Sequence, residues 1–449
     1  MKLDYLKKYL NENKLPIMNQ SVFEKITNDI GKVQFRLDLA EYISTERPPF
    51  PLKKISELDM IESFNDLKKQ DIWKYCTPKE QIKKEVLEKY DDYKYPFSKY
   101  GLGLIDAPSH YNNVSNYFLQ PQRLNCSSYS FKSPIDVWNN GTAKQIWSCL
   151  GPIWRGINEM KKVNIDNKEV LLGGELSERS YISAFRLGTY IATQFKPNVA
   201  KAIYHITDAQ KVLDTSCGWG DRLAGFYTSD AIEYIGCDPN PNTYKEYMNQ
   251  VSEYEMLLGN KNPTIREEQY GDINYFTING VKKVTIYRCG AENLPWSDIK
   301  NIDCAFTSPP YFSTERYNEG GESQEDQSWS KFDEYDKWRD DFYLPVSQKS
   351  FDSLSEKGHL FVNIMDPKVK NKRYKSCDEL VDNLKPYFVG QIGMRIMQRP
   401  QGKAKYKTKE DLKKFMNKIY IENVWCFTKV KDLDYFKLAR INTLENFFI

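Results

Sequence analysis

Histidine is scarce in this chain of 449 residues, and its three copies, His110, His205 and His359, lie far apart. Acid–base or metal chemistry built on imidazole therefore has little to work with. His359 sits in a strand-like run and reads as structural. The nine cysteines are scattered with no Cys-x-x-Cys pair, which argues against a zinc site and against a disulfide framework. Several fall within apolar runs and read as core packing in a reducing compartment. No apolar stretch reaches the roughly 18 residues a membrane span needs. Residues Met1 to Leu10 form a charged amphipathic pattern without the apolar centre of a signal peptide. The expected compartment is cytoplasmic: bacterial, or host cytoplasm or nucleus if the source is viral. Charge of one sign is also missing, since 64 Lys and Arg against 61 Asp and Glu leave only +3. A uniformly basic nucleic-acid coat is excluded, and any such surface must be a local patch. No internal repeat or low-complexity tract is visible.

What is present is a 40% hydrophobic chain with 14% aromatics, enough for a real core and about two to three domains. Residues 1–45 and 55–95 carry helical patterns, separated by the breaker Arg47-Pro48-Pro49-Phe50-Pro51. From about 96 to 150, aromatics mix with Asn, Gln, Ser and Pro, as in Tyr117-Phe118-Leu119-Gln120-Pro121-Gln122-Arg123. That mixture suits base stacking and edge reading, and it equally suits an irregular subdomain whose aromatics are core. From 180 onward helix and strand alternate as in an α/β sheet.

The richest stretch is Thr307-Ser308-Pro309-Pro310-Tyr311, which follows a strand-like run from Ile302 to Phe306. Two adjacent prolines lack backbone N–H groups, so they turn the chain and leave carbonyl oxygens as acceptors. Ser308 and the Pro309 carbonyl can accept the two protons of a planar amine, while Tyr311 stacks on its face. The amine of a nucleobase is a poor nucleophile because its lone pair is delocalised, and two acceptors off the ring plane help localise that pair. A Pro-Pro turn after a buried strand is the plainer alternative.

About 90 residues earlier, an apolar strand, Val212-Leu213-Asp214, runs through Thr215-Ser216-Cys217 into Gly218-Trp219-Gly220 and then a helical pattern. Glycines let the backbone pass close to a nucleoside, and a helix start offers N–H groups. A second strand, Ile232 to Cys237, ends in Asp238, which in a doubly wound sheet reaches a ribose diol. A nicotinamide dinucleotide would fit the same series.

With the third glycine of a dinucleotide fingerprint missing, Asp214-x-x-x-Gly218-x-Gly220 resembles motif I of S-adenosylmethionine-dependent methyltransferases, and Asp238 their motif II acid. Ser308-Pro309-Pro310-Tyr311 resembles motif IV, the (D/N/S)PP(Y/F) signature of enzymes that methylate N6 of adenine or N4 of cytosine. Gly290 to Pro295 resembles motif III, and Phe195 to Lys201 motif X. Gly358 to Ile364 and Glu422 to Lys429 fit the later strands. The resemblance spans roughly residues 180–430, with its pieces in consistent order.

The resemblance implies a Rossmann-like seven-stranded methyltransferase sheet at 175–432, preceded by an α-rich, helical and irregular region at 1–170 and followed by a tail at 433–449, with target recognition falling to 1–170 or to inserts. It implies S-adenosylmethionine as cofactor, held by Asp214, Ser216, Gly218, Gly220, Asp238, Ala291, Glu292, Lys196 and Pro197. It implies a catalytic wall of Ser308, Pro309, Pro310 and Tyr311, no metal, and DNA as partner, with RNA less favoured. Methylation of the restriction–modification kind follows; an RNA base methyltransferase and a catalytically inactive nucleic-acid-binding copy of the fold are the alternatives. Phe312 is expected as a second apolar contact to the flipped base. Two basic clusters fall after late strands, Lys368 to Lys375 and Arg395 to Lys414, and Arg399, Lys403, Lys405 and Lys407 are expected on the phosphate backbone. Residues 313–341 read as a mobile lid or a surface excursion. Three positions depart from the family pattern. Gly290 replaces a frequent Asp, so contact with the cofactor's adenine passes to Glu292 or the Ala291 N–H. Trp219 within the glycine turn is bulky and reads as packing on the following helix, or else as a wall at the methionine end of the pocket. Ser308, where many adenine enzymes carry Asp, tilts the target towards cytosine.

Overall fold

The computed structural model describes residues 3–82, 94–128, 132–154, 161–165, 168–172, 174–314, 316–321, 323–396, 410 and 420–430. The chain divides into two compact units, 1–54 with 120–193 and 316–324, and 55–119 with 194–315 and 325–449.

The first unit is mainly helical. Asn19 accepts from the Val22 N–H to start the helix Gln20–Ile30, and Thr142 and Gln145 cap each other's backbone at the start of Ala143–Leu150. These helices, with Lys32–Glu46, Pro134–Asn140 and Glu178–Gly188, enclose Phe35, Leu39, Ile43, Trp138, Leu150, Tyr181 and Phe185. Arg47, in a left-handed conformation, donates to the Trp138 and Gly141 carbonyls.

In chain order the strands are β1 (Cys76–Pro78), β2 (Leu102–Ala107), β3 (Lys161–Ile165), β4 (Lys168–Leu172), β5 (Lys211–Asp214), β6 (Glu233–Cys237), β7 (Ile265–Tyr270) and β8 (Ile273–Asn279). There follow β9 (Lys283–Tyr287), β10 (Ile302–Thr307), β11 (Leu354–Asn363), β12 (Lys368–Val369), β13 (Lys372–Arg373), β14 (Phe388–Ile396) and β15 (Tyr420–Thr428).

The second unit is built on one sheet in the order β1-β2-β14-β15-β11-β10-β5-β6-β9-β8-β7. Its central seven strands, β14 to β9, are the Rossmann-like sheet expected from the sequence, with β15 antiparallel to both neighbours. The sheet has eleven strands rather than seven. β1 and β2 extend one edge, and the antiparallel pair β8 and β7 extends the other. These additions escape a pattern reading because β1 has three residues and β7, Ile-Arg-Glu-Glu-Gln-Tyr, is polar at its four central positions, as an exposed edge allows. The central strands are largely buried, as expected of a sheet covered on both faces; in β10 only Asp303 is not fully buried.

Residues 55–119 belong to this unit, since β2 pairs in parallel with β14. A buried lysine ties them in. Lys201 Nζ donates to the carbonyls of Leu67, Lys68 and Gln70, closing the end of the helix Glu57–Lys69. Burial pulls its pKa down to about 8. Tyr100, Tyr111 and Phe118, from the aromatic-rich stretch, are core side chains here, and among the described aromatics of that stretch Tyr117 alone is exposed. No helix among the described residues is long and apolar enough to cross a membrane. Arg399, Lys403, Lys405, Lys407 and the tail 433–449 lie outside the described residues.

Candidate functional site

Strand order reverses at β5, whose neighbours are β6 and β10. Such a switch point opens a crevice at the carboxyl ends of the strands, the usual ligand site of a doubly wound sheet. The glycine loop leaves β5 there, and the Ser-Pro-Pro-Tyr turn leaves β10 beside it.

Asp214 ends β5 and is fully buried. Its carboxylate accepts from Arg222 Nε at 2.9 Å, from the Tyr234 hydroxyl at 2.7 Å and from the Ser216 N–H at 3.0 Å. Arg222 also donates to the Ser216 carbonyl. The acid thus supports the loop from below. Gly218 and Gly220 both adopt left-handed φ, +56° and +70°, and a Cβ on Gly220 would run into the Gln250 amide. Gln250 in turn donates to the Gly220 carbonyl. The Tyr247 hydroxyl donates to the Gly218 carbonyl. Lys196 and Pro197 are buried at the start of the helix Pro197–Ile206, which packs on the helix Asp221–Tyr227 so closely that Gly225 leaves no room for a Cβ.

Asp238 follows β6 and is half-buried. Its Oδ2 accepts the Gly218 N–H at 2.9 Å, and its Oδ1 accepts from the Asn240 N–H at 3.0 Å and the Thr243 hydroxyl at 3.2 Å. A carboxylate has about four acceptor positions, so Oδ2 keeps room for one more donor. Burial pushes the pKa of this carboxyl up to about 6, against the lowering effect of those hydrogen bonds.

At the end of β9, Gly290 precedes a single turn, Ala291–Asn293. A Cβ at 290 would collide with the Glu292 carboxylate. Glu292 therefore curls back to place its carboxylate where a side chain at 290 would begin. Lys331 pairs with it at 2.9 Å. Ala291 is buried, and its carbonyl accepts from Trp296 Nε1.

In the Ser-Pro-Pro-Tyr turn, Pro309 is buried while Ser308, Pro310 and Tyr311 are half-buried. The hydroxyl of Ser216 donates to the Ser308 carbonyl at 2.9 Å and bonds the Thr307 hydroxyl at 2.8 Å. That one side chain joins the glycine loop to the turn. Ser308 Oγ donates to Asn363 Oδ1 at 3.3 Å, and the Tyr311 hydroxyl donates to the Asn363 carbonyl at 3.1 Å.

Phe312, the expected second contact to the base, turns its ring into the core. Its ring is buried, enclosed by Tyr335, Trp338 and Tyr374 at centroid distances of 5.5, 5.8 and 5.7 Å. Its backbone has φ +50°, an outlier for a bulky residue, and the buried ring holds it there. Tyr374 follows a two-residue hairpin, β12 and β13, with Lys370 and Asn371 both left-handed as a type I′ turn requires. Lys368, Lys370, Lys372, Arg373 and Lys375 are exposed on it, and the Tyr374 ring stacks on Tyr335 at 4.0 Å. This cation cluster is thereby fixed beside the turn. Arg395, from the second cluster, is paired with Asp106 on the neighbouring strand. Residues 316–324 of the expected lid belong to the first unit, whereas Ser328–Lys331 supplies Lys331 to Glu292. Sequence reasoning missed Asn363, Arg222 and Tyr374. Each lies in a run read only as strand, helix or charge, and no local signal marks any of them.

No family model matches the chain, and no curated protein matches it. Among solved structures, an rRNA methylase from Streptococcus thermophilus is similar over 53% of this chain and 99% of its own, at 14% identity and a TM-score of 0.29. Trm1 from Pyrococcus horikoshii, with S-adenosyl-L-methionine, is similar over 52% of this chain and 56% of its own, at 12% identity and a TM-score of 0.29. The [4+2]-cyclase SpnF is similar over 63% and 93%, at 12% identity and a TM-score of 0.29. Likenesses this distant do not bear on reaction or substrate.

Proposed function

We propose that this protein transfers a methyl group from S-adenosylmethionine to an exocyclic amine of a DNA base, cytosine N4 or adenine N6. The observation that carries the reading is Ser216, which bonds the turn that would hold the amine to the loop that would hold the cofactor. The two half-sites share one cleft edge at the switch point, where donor and acceptor must meet in line.

The residues fit the cofactor. Asp238 offers an open acceptor to a ribose hydroxyl, the left-handed glycines let the loop backbone approach, and Glu292 offers a carboxylate to the amine of an adenine. When bound, the cofactor supplies an electrophilic methyl on a sulfonium, so no metal is needed. Ser308 Oγ and the Pro309 carbonyl accept the amine protons, and Tyr311 presents its ring to the flipped base. Asp214 acts through Arg222 and Ser216 on the loop's shape. The exposed cations of β12 and β13, held beside the turn by Tyr374, suit the phosphates flanking that base. The stretch holding Arg399, Lys403, Lys405 and Lys407 is proposed for the same task. Ser308 favours cytosine.

The test uses labelled cofactor with DNA oligonucleotides carrying cytosine or adenine as the only reactive amine, with RNA versions in parallel. Label on cytosine N4 or adenine N6 of DNA is the expected result. Label on RNA alone supports the RNA enzyme instead, and label on a ring carbon, on protein or on no base refutes the proposal.

A further inference from the structure

The Ser-Pro-Pro-Tyr turn has a partner that its own sequence does not announce. Asn363 is the last residue of β11, is 1% exposed, and lies opposite Val424 in the antiparallel pair with β15. Its Nδ2 donates to the Asn423 carbonyl at 3.0 Å. A carbonyl oxygen only accepts, so this bond fixes the amide with its nitrogen towards β15 and its oxygen towards the turn. The oxygen lies 3.3 Å from Ser308 Oγ and 3.4 Å from the Tyr311 hydroxyl. Among the described residues it is the one partner of the Ser308 hydroxyl.

We infer that Asn363 is a positioning residue that makes Ser308 an obligate acceptor. A serine hydroxyl has one proton and two lone pairs, and left alone it can point that proton at an incoming amine and repel it. Parking the proton on Asn363 Oδ1 turns both lone pairs of Ser308 Oγ towards the substrate. The serine then behaves as a carboxylate would at the same place, without its charge. The same oxygen, with the Asn363 carbonyl, holds the Tyr311 hydroxyl and so fixes the ring that faces the base. The role extends the proposed function and rests on Ser308 being the amine acceptor in it.

Asn363→Leu keeps the volume and removes the acceptor. Asn363→Asp, held protonated by burial, keeps an acceptor facing Ser308 and Tyr311 and a donor towards the Asn423 carbonyl. Methyl transfer is measured for both, for Ser308→Ala and for the Asn363→Leu, Ser308→Ala double variant, alongside cofactor affinity by calorimetry and thermal melting. In Asn363→Leu, kcat should fall on the order of tenfold to a hundredfold with cofactor affinity unchanged, the scale of a lost positioning hydrogen bond. Asn363→Asp should recover most of it. The double variant should be little slower than Ser308→Ala, because both changes remove one arrangement. Equal losses in the Leu and Asp variants, or losses that multiply in the double variant, overturn the inference and leave Asn363 a packing residue. A parent protein that transfers no methyl to any base amine overturns the proposed function itself, a result separate from these.

Discussion

Asp238 gives the sharpest test of the cofactor site, because its two roles respond to pH with opposite sign. In the protein alone, burial lifts its carboxyl from an ordinary 3.8 to about 6. Ionising it there costs about 3 kcal/mol more than in water, at about 1.4 kcal/mol per pH unit. A raised folded value means that this stability is fully present below 3.8 and is lost as pH rises through about 6. Cofactor binding should run the other way. A ribose hydroxyl donating to Oδ2 favours the ionised form, so affinity should weaken as pH falls through about 6. Asp238→Asn removes the charge and turns one oxygen into a donor. One hydrogen bond to a charged acceptor is worth about 1.5–3 kcal/mol, so affinity should fall by about tenfold to 150-fold at neutral pH. The pH dependence should vanish with it. Isothermal titration of cofactor between pH 5 and 8, on variants whose folding is checked by melting, reads both effects. Parental affinity in a folded Asp238→Asn protein, or a variant that keeps the parental pH profile, refutes the assignment of Asp238 to the cofactor.

The other expectations concern the rest of the cleft. Gly290→Asp should weaken cofactor binding by forcing the Glu292 carboxylate away, and Gly290→Asp with Glu292→Ala should restore it, as calorimetry on the pair will read. Tyr311→Ala should cost about 1–3 kcal/mol of base binding, measured with an oligonucleotide in excess product cofactor. Ser308→Ala should lower kcat more than cofactor affinity, in a single-turnover assay. Replacing Lys368, Lys370 and Lys372 with Gln should weaken DNA binding for all sequences alike and flatten the plot of log affinity against log salt by about 3. Loss confined to one sequence, with the slope unchanged, would mean that the hairpin reads bases.

The sequence by itself determined the elements whose chemistry is local. Pro309 and Pro310 impose their turn wherever they occur, because φ is fixed and no N–H is left to donate. The left-handed bends at Gly218 and Gly220 and the acid at the end of β6 are legible for the same reason: strand, glycine turn and acid follow one another within 25 residues, from Asp214 to Asp238. The alternation of strands and helices after residue 180 likewise gave the parallel sheet. Tertiary structure decided what depended on meetings across the chain. β2 joins the sheet through β14, almost 300 residues on. Phe312 looked like part of the site from its neighbours in sequence, yet its ring turns into a core made by Tyr335, Trp338 and Tyr374. Glu292 fills the space that Gly290 leaves, which no pattern of residue types can report. Asn363 is 55 residues from Ser308, and only the parallel pairing of β10 with β11 brings them within a hydrogen bond. A hydrogen bond needs two atoms about 3 Å apart, and sequence spacing sets such a distance only along a single turn of chain.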